Sequence, residues 1–266
     1  PKRSNAYALK SCFFYIVDHF TDIEFNRVNF VEFMGELEAK GHSPNYLNGL
    51  VRMVKHIEKS LFLKGLLSVL RLQDFSYYNP RKRQYKEVLS AKEIEQLANV
   101  KINYKKMPEF INLRQKGLIL LLGQTGCRIG EALSLLSSDI YNFPRYSVTF
   151  HDTKNKDDRS VPIGENLYKL LKEIARDNEF VFQSYKGGQL TPEQINLDLK
   201  KRSSANKINK RVYSHLFRHS FCTTMAQAGV SVLDLGRIVG HKSVEVTMRY
   251  YNPDLEHLGN VILEHP

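Results

Sequence analysis

The spacing of apolar residues changes period once in this chain, and that change limits what it can fold into. Over most of the 266 residues, apolar positions recur at intervals of three and four, the mark of amphipathic helices. Between positions 145 and 163 the pattern becomes alternating. RYSVTFHDT (145–153) and RSVPI (159–163) are rich in Val, Thr, Phe and Tyr and read as short strands, joined through the polar loop KNKDD. FVFQS (180–184) reads as a third strand. A single hairpin set among helices gives an α+β protein, predominantly helical, with a small three-stranded antiparallel sheet.

The helices fall into two groups. Residues 1–78 read as an all-helical N-terminal domain. In ALKSCFFYIVDHF, Leu9, Cys12, Phe13, Ile16 and Val17 share one side. Asn29 is placed to cap FVEFMGELEAK, which stops at Gly41, and Ser43-Pro44 supplies a cap and a first-turn proline for the next helix. That helix carries Leu47, Leu50, Val51, Val54 and Ile57 on one face, with Arg52, Lys55 and Lys59 elsewhere. The basic side suits a solvated surface and a nucleic-acid groove equally well. Residues 79–88, NPRKRQYKEV, form a basic linker containing Pro80, Arg81, Lys82 and Arg83, which a phosphate backbone could accommodate. Residues 89–266 form the second domain. Ser90 and Glu93 make a capping box, a long apolar helix follows over 110–123, residues 164–177 are helical, and short helices fill the region from Pro192 to about Leu263.

Net charge is +11, with a basic excess on both sides of the linker, so a polyanion such as DNA, RNA or an acidic membrane face is the expected partner class. Hydrophobic residues make up 42 %, enough for a core. Cys12, Cys127 and Cys222 lie far apart and show no metal spacing, which implies reduced thiols in the cytosol. GLILLLG, the longest apolar run, falls well short of the roughly 20 residues that cross a bilayer. PKRSNAY has no signal-peptide core. A soluble, cytoplasmic protein without a membrane partner is expected.

The polar motifs narrow the chemistry. GQTGCRIG lacks the Lys-Ser/Thr ending of a P-loop, and HLFRH is not HExxH, so neither a nucleotide site nor a zinc protease is supported. Arg128 enters a helix whose neighbours Ile129, Ala132 and Leu133 are apolar. A largely buried Arg requires an anion, and Glu131 is either that partner in a structural pair or an orienting group. Lys154 sits at the hairpin tip, where it is either solvated or able to protonate a leaving oxygen. His215 and Arg218 share a helix face, an arrangement suited to a phosphoryl group. His241 follows Gly240 in a turn. Tyr250 and Tyr251 are weak nucleophiles at neutral pH unless nearby cations favour the phenolate.

In order and spacing these segments resemble the tyrosine recombinases of the phage integrase family, including the Xer type. TGCRIGEAL resembles the first Arg box, Lys154 ahead of Val161-Pro162 the hairpin lysine, HLFRH the H-x-x-R-H motif, and Val239-Gly240-His241 with Tyr250 nine residues later the last box. EAKGHSPNYLNGLVRMVK looks like the core-binding helices and EVLSAKEIEQL like the start of the catalytic domain. The resemblance implies that Arg128 and Arg218 grip the scissile phosphate and that Tyr250 attacks it, leaving a 3′-phosphotyrosine and a free 5′-hydroxyl. It implies further that Lys154 protonates the departing oxygen, His215 assists proton transfer, His241 bonds the phosphate and Glu131 supports the site. Arg52, Lys55, Arg81, Lys82 and Arg83 become DNA-binding candidates. No metal, cofactor or ATP is implied. The implied partner is double-stranded DNA carrying an inverted-repeat core site, bound by a homotetramer in a prokaryotic cell or mobile element. The last helix, with Leu255, Leu258, Val261 and Ile262, would dock on a neighbouring protomer or fold back in cis. The resemblance does not extend to the arm-binding domain of lambda-type integrases, in a sequence that starts at Pro1 and is equally compatible with a fragment, and Val239 stands where Leu is usual. The other readings are a type IB topoisomerase-like nicking-closing enzyme and a catalytically silent architectural DNA-binding protein.

Overall fold

The structure is a computed structural model that describes residues 15–16, 18–22, 25–75, 78, 87–151, 158–175 and 179–251. The chain divides into two compact units, Pro1–Tyr85 and Lys86–Pro266. Of the sequence expectations, Leu9, Cys12, Phe13, Val17, Pro80, Arg81, Lys82, Arg83, Lys154 and the tail residues Leu255, Leu258, Val261 and Ile262 lie outside the described residues.

The first unit is built on α1 (Arg27–Ala39) and α2 (Pro44–Leu63). The cap of α1 is Asn26 and not Asn29: the Asn26 side chain accepts the Asn29 N–H at 2.9 Å. A capping side chain reaches the N–H two or three residues ahead, so the residue expected to cap is the one being capped. α2 opens as its sequence implies, with Ser43 accepting from the Tyr46 N–H and Pro44 in the first turn. Leu47, Leu50, Val51 and Val54 form one core with Phe30, Phe33, Met34 and Leu37. Buried Glu58 accepts the N–H groups of Arg71 and Leu72, which ties the segment after α2 back onto the helix.

The second unit contains α3 (Ala91–Asn99), α4 (Pro108–Thr125), α5 (Ile129–Leu133), α6 (Glu165–Ala175), α7 (Pro192–Ala205), α8 (Ser214–Gln227), α9 (Val232–Val239) and α10 (Val244–Met248). The Ser90–Glu93 capping box forms at the start of α3. α4 packs against α3, α6 and α8 and is buried on several sides, which is why its sequence shows a continuous apolar run in place of a stripe. Three antiparallel strands, β1 (Ile140–Tyr141), β2 (Ser147–Phe150) and β3 (Arg159–Pro162), lie in that order. Val148, Phe150 and Val161 turn into the core. The α+β class and the three-stranded sheet are therefore as expected, but one strand is not. FVFQS makes only isolated bridges, from Phe180 to Leu136 and from Gln183 to Gln189, and the third strand is Ile140–Tyr141. Val181 and Phe182 are both buried although adjacent, so this segment sinks into the core without presenting a pleated face. Among the described residues no helix is long and apolar enough to cross a membrane.

One backbone position sets the chain for the site. Gly126 ends α4 in the left-handed region, φ +59°, and a Cβ there would lie 2.5 Å from the Phe221 ring. Both the conformation and the close approach of α8 require glycine. Gly126→Ala is expected to lower the unfolding free energy by about 2–4 kcal/mol, the sum of left-handed strain and overpacking. Urea denaturation measures it, and a loss below about 0.5 kcal/mol would show that the turn relaxes freely.

Candidate active site

The site gathers at the junction between α4 and α5, the start of α8, the end of α9 and the residues after α10. α8 is anchored at its first residue, where the Ser214 N–H donates to Asn196 of α7 at 2.9 Å. His215, in the open first turn, is exposed, whereas Arg218, one turn further along the same side of α8, is buried. Arg218 is 2 % exposed. Its Nη1 donates to the Gly126 carbonyl at 2.9 Å, while its Nη2, also buried, has no hydrogen-bond partner. Arg202 provides the comparison. Fully buried, it bonds Asp198, Asn112 and the carbonyls of Leu97 and Val100. Arg202 is satisfied within the fold, whereas Arg218 keeps a donor that an anion can use. Burial, and then the positive charge of Arg128, hold the Arg218 pKa below its ordinary value.

Arg128 immediately precedes α5. Contrary to the expectation of burial, its side chain is 46 % exposed, because α5 buries Ala132 and Leu133 while the capping position stays outside. Nη1 donates to Glu131 Oε1 and Nη2 to the Gly240 carbonyl, each at 2.8 Å. Glu131 also accepts the Arg128 backbone N–H at 2.8 Å. Burial raises the Glu131 pKa, but hydrogen bonds and charge from Arg159, together with the bonds from Arg128, outweigh it and hold the carboxyl below its usual range.

Arg159 was not singled out in the sequence. It lies on β3 with its guanidinium 4.9 Å from the Phe150 ring centroid, and it bonds both oxygens of Glu131, the carboxylate that Arg128 also bonds. A signal existed: Arg159 is two residues from Val161, so strand alternation already puts it on the buried face, where a charge needs a partner.

Gly240, at φ +69°, terminates α9 and presents His241. The His241 Nδ1 shares a 2.8 Å hydrogen bond with Thr247 Oγ1. Burial first, then the charges of Arg218, Arg128, His215 and Arg159, push its pKa down to about 4. The imidazole is thus neutral at physiological pH. Since the folded value lies below the ordinary 6.5, the unfolded chain takes up this proton first on acidification. The stability linked to His241 is complete above pH 6.5 and is lost as pH falls toward about 4. An NMR titration is expected to give a His241 midpoint well below that of exposed histidines; a midpoint at or above 6.5 would contradict this environment.

The two tyrosines differ. The Tyr250 ring lies parallel to His241, 5° between planes with centroids 6.3 Å apart, and 5.4 Å from the His219 ring. Burial, and then the Cys222 thiol, raise its pKa to about 12, while Arg218 acts in the opposite direction. Tyr251 instead donates its hydroxyl to the Val230 carbonyl. Val239, where the resemblance leads one to expect Leu, is fully buried with Phe221, Cys222 and Leu235 behind the tyrosines. Cys127 and Cys222 are free and buried.

Arg128, Glu131, Arg218, His241 and Tyr250 thus share one location, with His215 near enough to act on His241. Of the first-unit candidates, Arg52 is exposed, and Lys55 donates its ammonium to the carbonyls of Gln73 and Phe75, a bond that serves the fold.

Residues 87–257 match the sequence model of the phage integrase family. The chain belongs to that family, the tyrosine recombinases. It is 30 % identical over 175 residues to tyrosine recombinase XerC of Rickettsia peacockii (strain Rustic), covering 64 % of this chain and 55 % of that protein. The XerC of Rickettsia canadensis (strain McKiel) is 30 % identical over 178 residues, 65 % of this chain and 56 % of the relative. The chain spans about half the length of the curated relatives it matches. Solved structures share its fold, and three serve as examples. They are the Tn1549 transposon integrase in complex with circular intermediate DNA (TM-score 0.75, 18 % identity, 98 % of this chain and 94 % of that one); the XerH recombinase bound to palindromic difH substrate (0.73, 20 %, 90 % and 72 %); and a lambda integrase dimer bound to a COC′ core site (0.74, 13 %, 95 % and 72 %).

Proposed function

We propose that this chain is a site-specific DNA recombinase that cleaves and rejoins duplex DNA through a 3′-phosphotyrosine. The observation that carries the reading is the unpaired, buried Nη2 of Arg218 beside Arg128, His241 and the Tyr250 ring. A buried cation with a spare donor suits a phosphate oxygen, and a second guanidinium nearby suits the charge that grows during transfer.

The roles follow. Arg128 and Arg218 bind the non-bridging oxygens. The Tyr250 hydroxyl attacks phosphorus: a Tyr–O–P bond forms, the bond to the 5′-oxygen breaks, and the phenolic proton passes to an acceptor at the site. Neutral His241 bonds the phosphate, and His215 assists proton transfer. Lys154 protonates the departing 5′-oxygen. The bond energy stays in the ester, so a 5′-hydroxyl reverses the step without ATP. The guanidinium and ammonium charges take the part a metal plays elsewhere. The substrate is duplex DNA with an inverted-repeat core site, and the working assembly is a tetramer in a prokaryotic cytoplasm, serving integration, excision or resolution.

Incubation with a nicked suicide duplex tests this, because loss of a short 5′-hydroxyl fragment traps the ester. A covalent adduct stable to denaturant is expected, as is recombination between two sites. No adduct on any core-site duplex would sink the reading. An adduct with plasmid relaxation but no exchange would point to nicking and closing.

A further inference from the structure

We propose that Arg159 is a positioning residue for strand cleavage, fixing Arg128 and the Gly240–His241 turn in register without touching the DNA. The inference rests on the recombinase reading. All three guanidinium nitrogens of Arg159 are engaged, and they reach two segments beyond its own strand. Nη2 donates to Glu131 Oε2 at 2.6 Å and Nη1 to Oε1 at 3.3 Å, in α5. Nε donates to the Ile238 carbonyl at 2.9 Å, near the end of α9. The Phe150 ring, its cross-strand neighbour on β2, lies against the guanidinium.

Glu131 is therefore held between two arginines. Arg159 bonds both its oxygens, and Arg128 bonds both as well, Oε1 through Nη1 and Oε2 through the backbone N–H. Glu131 cannot turn to follow Arg128, so the Arg128 guanidinium has a fixed base. The second restraint on Arg128 is the Gly240 carbonyl. That turn also rests on Arg159: a Cβ on Gly240 would lie 2.9 Å from Nη1. Both restraints on Arg128, and the backbone that presents His241, thus converge on one side chain of the sheet. The side chain is only 13 % exposed, and all three of its nitrogens are turned to Glu131 and Ile238, which holds it back from the surface where a phosphate would lie. A lysine cannot substitute, because a single ammonium does not reproduce the planar fork that bonds two carboxylate oxygens and a carbonyl together.

The test compares wild type with Arg159→Lys and Arg159→Gln on a suicide duplex at saturating protein, recording rate constant and amplitude of adduct formation separately, with DNA affinity and Tm. Arg159→Lys is expected to lower the rate constant about 10- to 100-fold, as misplacement of a catalytic group by about 1 Å does, while DNA affinity stays within about threefold. Gly240→Ala, which crowds Arg159 from the turn, is expected to reproduce the loss. A purely structural role would lower Tm and amplitude and spare the rate constant. That outcome, or an Arg159→Lys rate within about twofold of wild type, overturns the proposal. Should Arg159→Gln fail to fold, Arg159→Lys, which keeps the charge, carries the comparison. Should wild type form no adduct, the recombinase reading is what fails. The His241 ring resonances then decide the positioning in the DNA-free protein: they are expected to shift in Arg159→Lys, and unchanged resonances overturn it.

Discussion

Tyr250→Phe is expected to abolish the covalent protein–DNA adduct, while Tyr251→Phe leaves it in place. The two side chains are adjacent in sequence, yet their surroundings separate them. The Tyr251 hydroxyl is committed to the Val230 carbonyl, so moving it to a phosphate would break a fold contact. The Tyr250 ring sits among His219, His241 and the thiol of Cys222, with Arg218 acting on its phenol. Its pKa of about 12 means that the hydroxyl waits protonated, and attack requires an acceptor for that proton at the moment of reaction. Removing one oxygen from Tyr250 removes the nucleophile and little of the packing. DNA affinity and Tm are therefore expected to stay near wild type while the adduct falls to background. An adduct that survives Tyr250→Phe and disappears in Tyr251→Phe would reverse the assignment. It would also mean that the Val230 bond opens on DNA binding.

Arg218→Met is expected to lower cleavage by at least about 10²–10³-fold, the usual consequence of losing one preorganised charged donor. Its effect on stability should be the opposite of what burial suggests. Truncating a buried, fully paired charge destabilises strongly, because its partners are stranded. Arg218 is paired only through Nη1, to the Gly126 carbonyl, and its pKa is already held down by burial and by Arg128. Methionine fills similar space without the desolvated charge. Thermal unfolding should show a Tm unchanged or raised, the sign of a residue kept for function against stability. Arg202→Met is the contrast: it strands Asp198, and a large loss of stability is expected. If Arg218→Met unfolds the protein as Arg202→Met does, Arg218 is a structural ion and the phosphate-binding role fails.

Much of the local structure was legible because its causes are local. The Ser43 cap with Pro44, the Ser90–Glu93 box and the apolar face of α2 each depend on residues within a turn or two. The errors arose where position along the chain did not fix position in space. Asn26 and Asn29 are both good caps, and only the backbone at α1 decides between them. FVFQS has strand composition, but Ile140–Tyr141 takes the place beside β2, and Val181 and Phe182 both sink into the core, so the segment pairs only through isolated bridges. Arg128 was expected to be buried because its neighbours are apolar, yet a capping residue leads its helix and can stay exposed while the next turn is covered.

For the candidate site, the sequence determined which groups are present and in what order, since a guanidinium, an imidazole and a phenol are fixed by residue type. The folded chain decided which of them are free to act. Arg202 and Arg218 are both buried arginines on helices, and Tyr250 and Tyr251 are neighbours. What separates each pair is how fully the fold pairs the group. Asp198, Asn112 and the carbonyls of Leu97 and Val100 satisfy Arg202, and the Val230 carbonyl takes the Tyr251 hydroxyl. Among the described residues, by contrast, Arg218 is paired only through Nη1, to Gly126, and the Tyr250 hydroxyl meets only the Cys222 thiol. Arg159 belongs to the same class, because its meaning lies in Glu131 and Ile238, 28 and 79 residues away along the chain. Such partnerships depend on packing between elements, which no local pattern encodes.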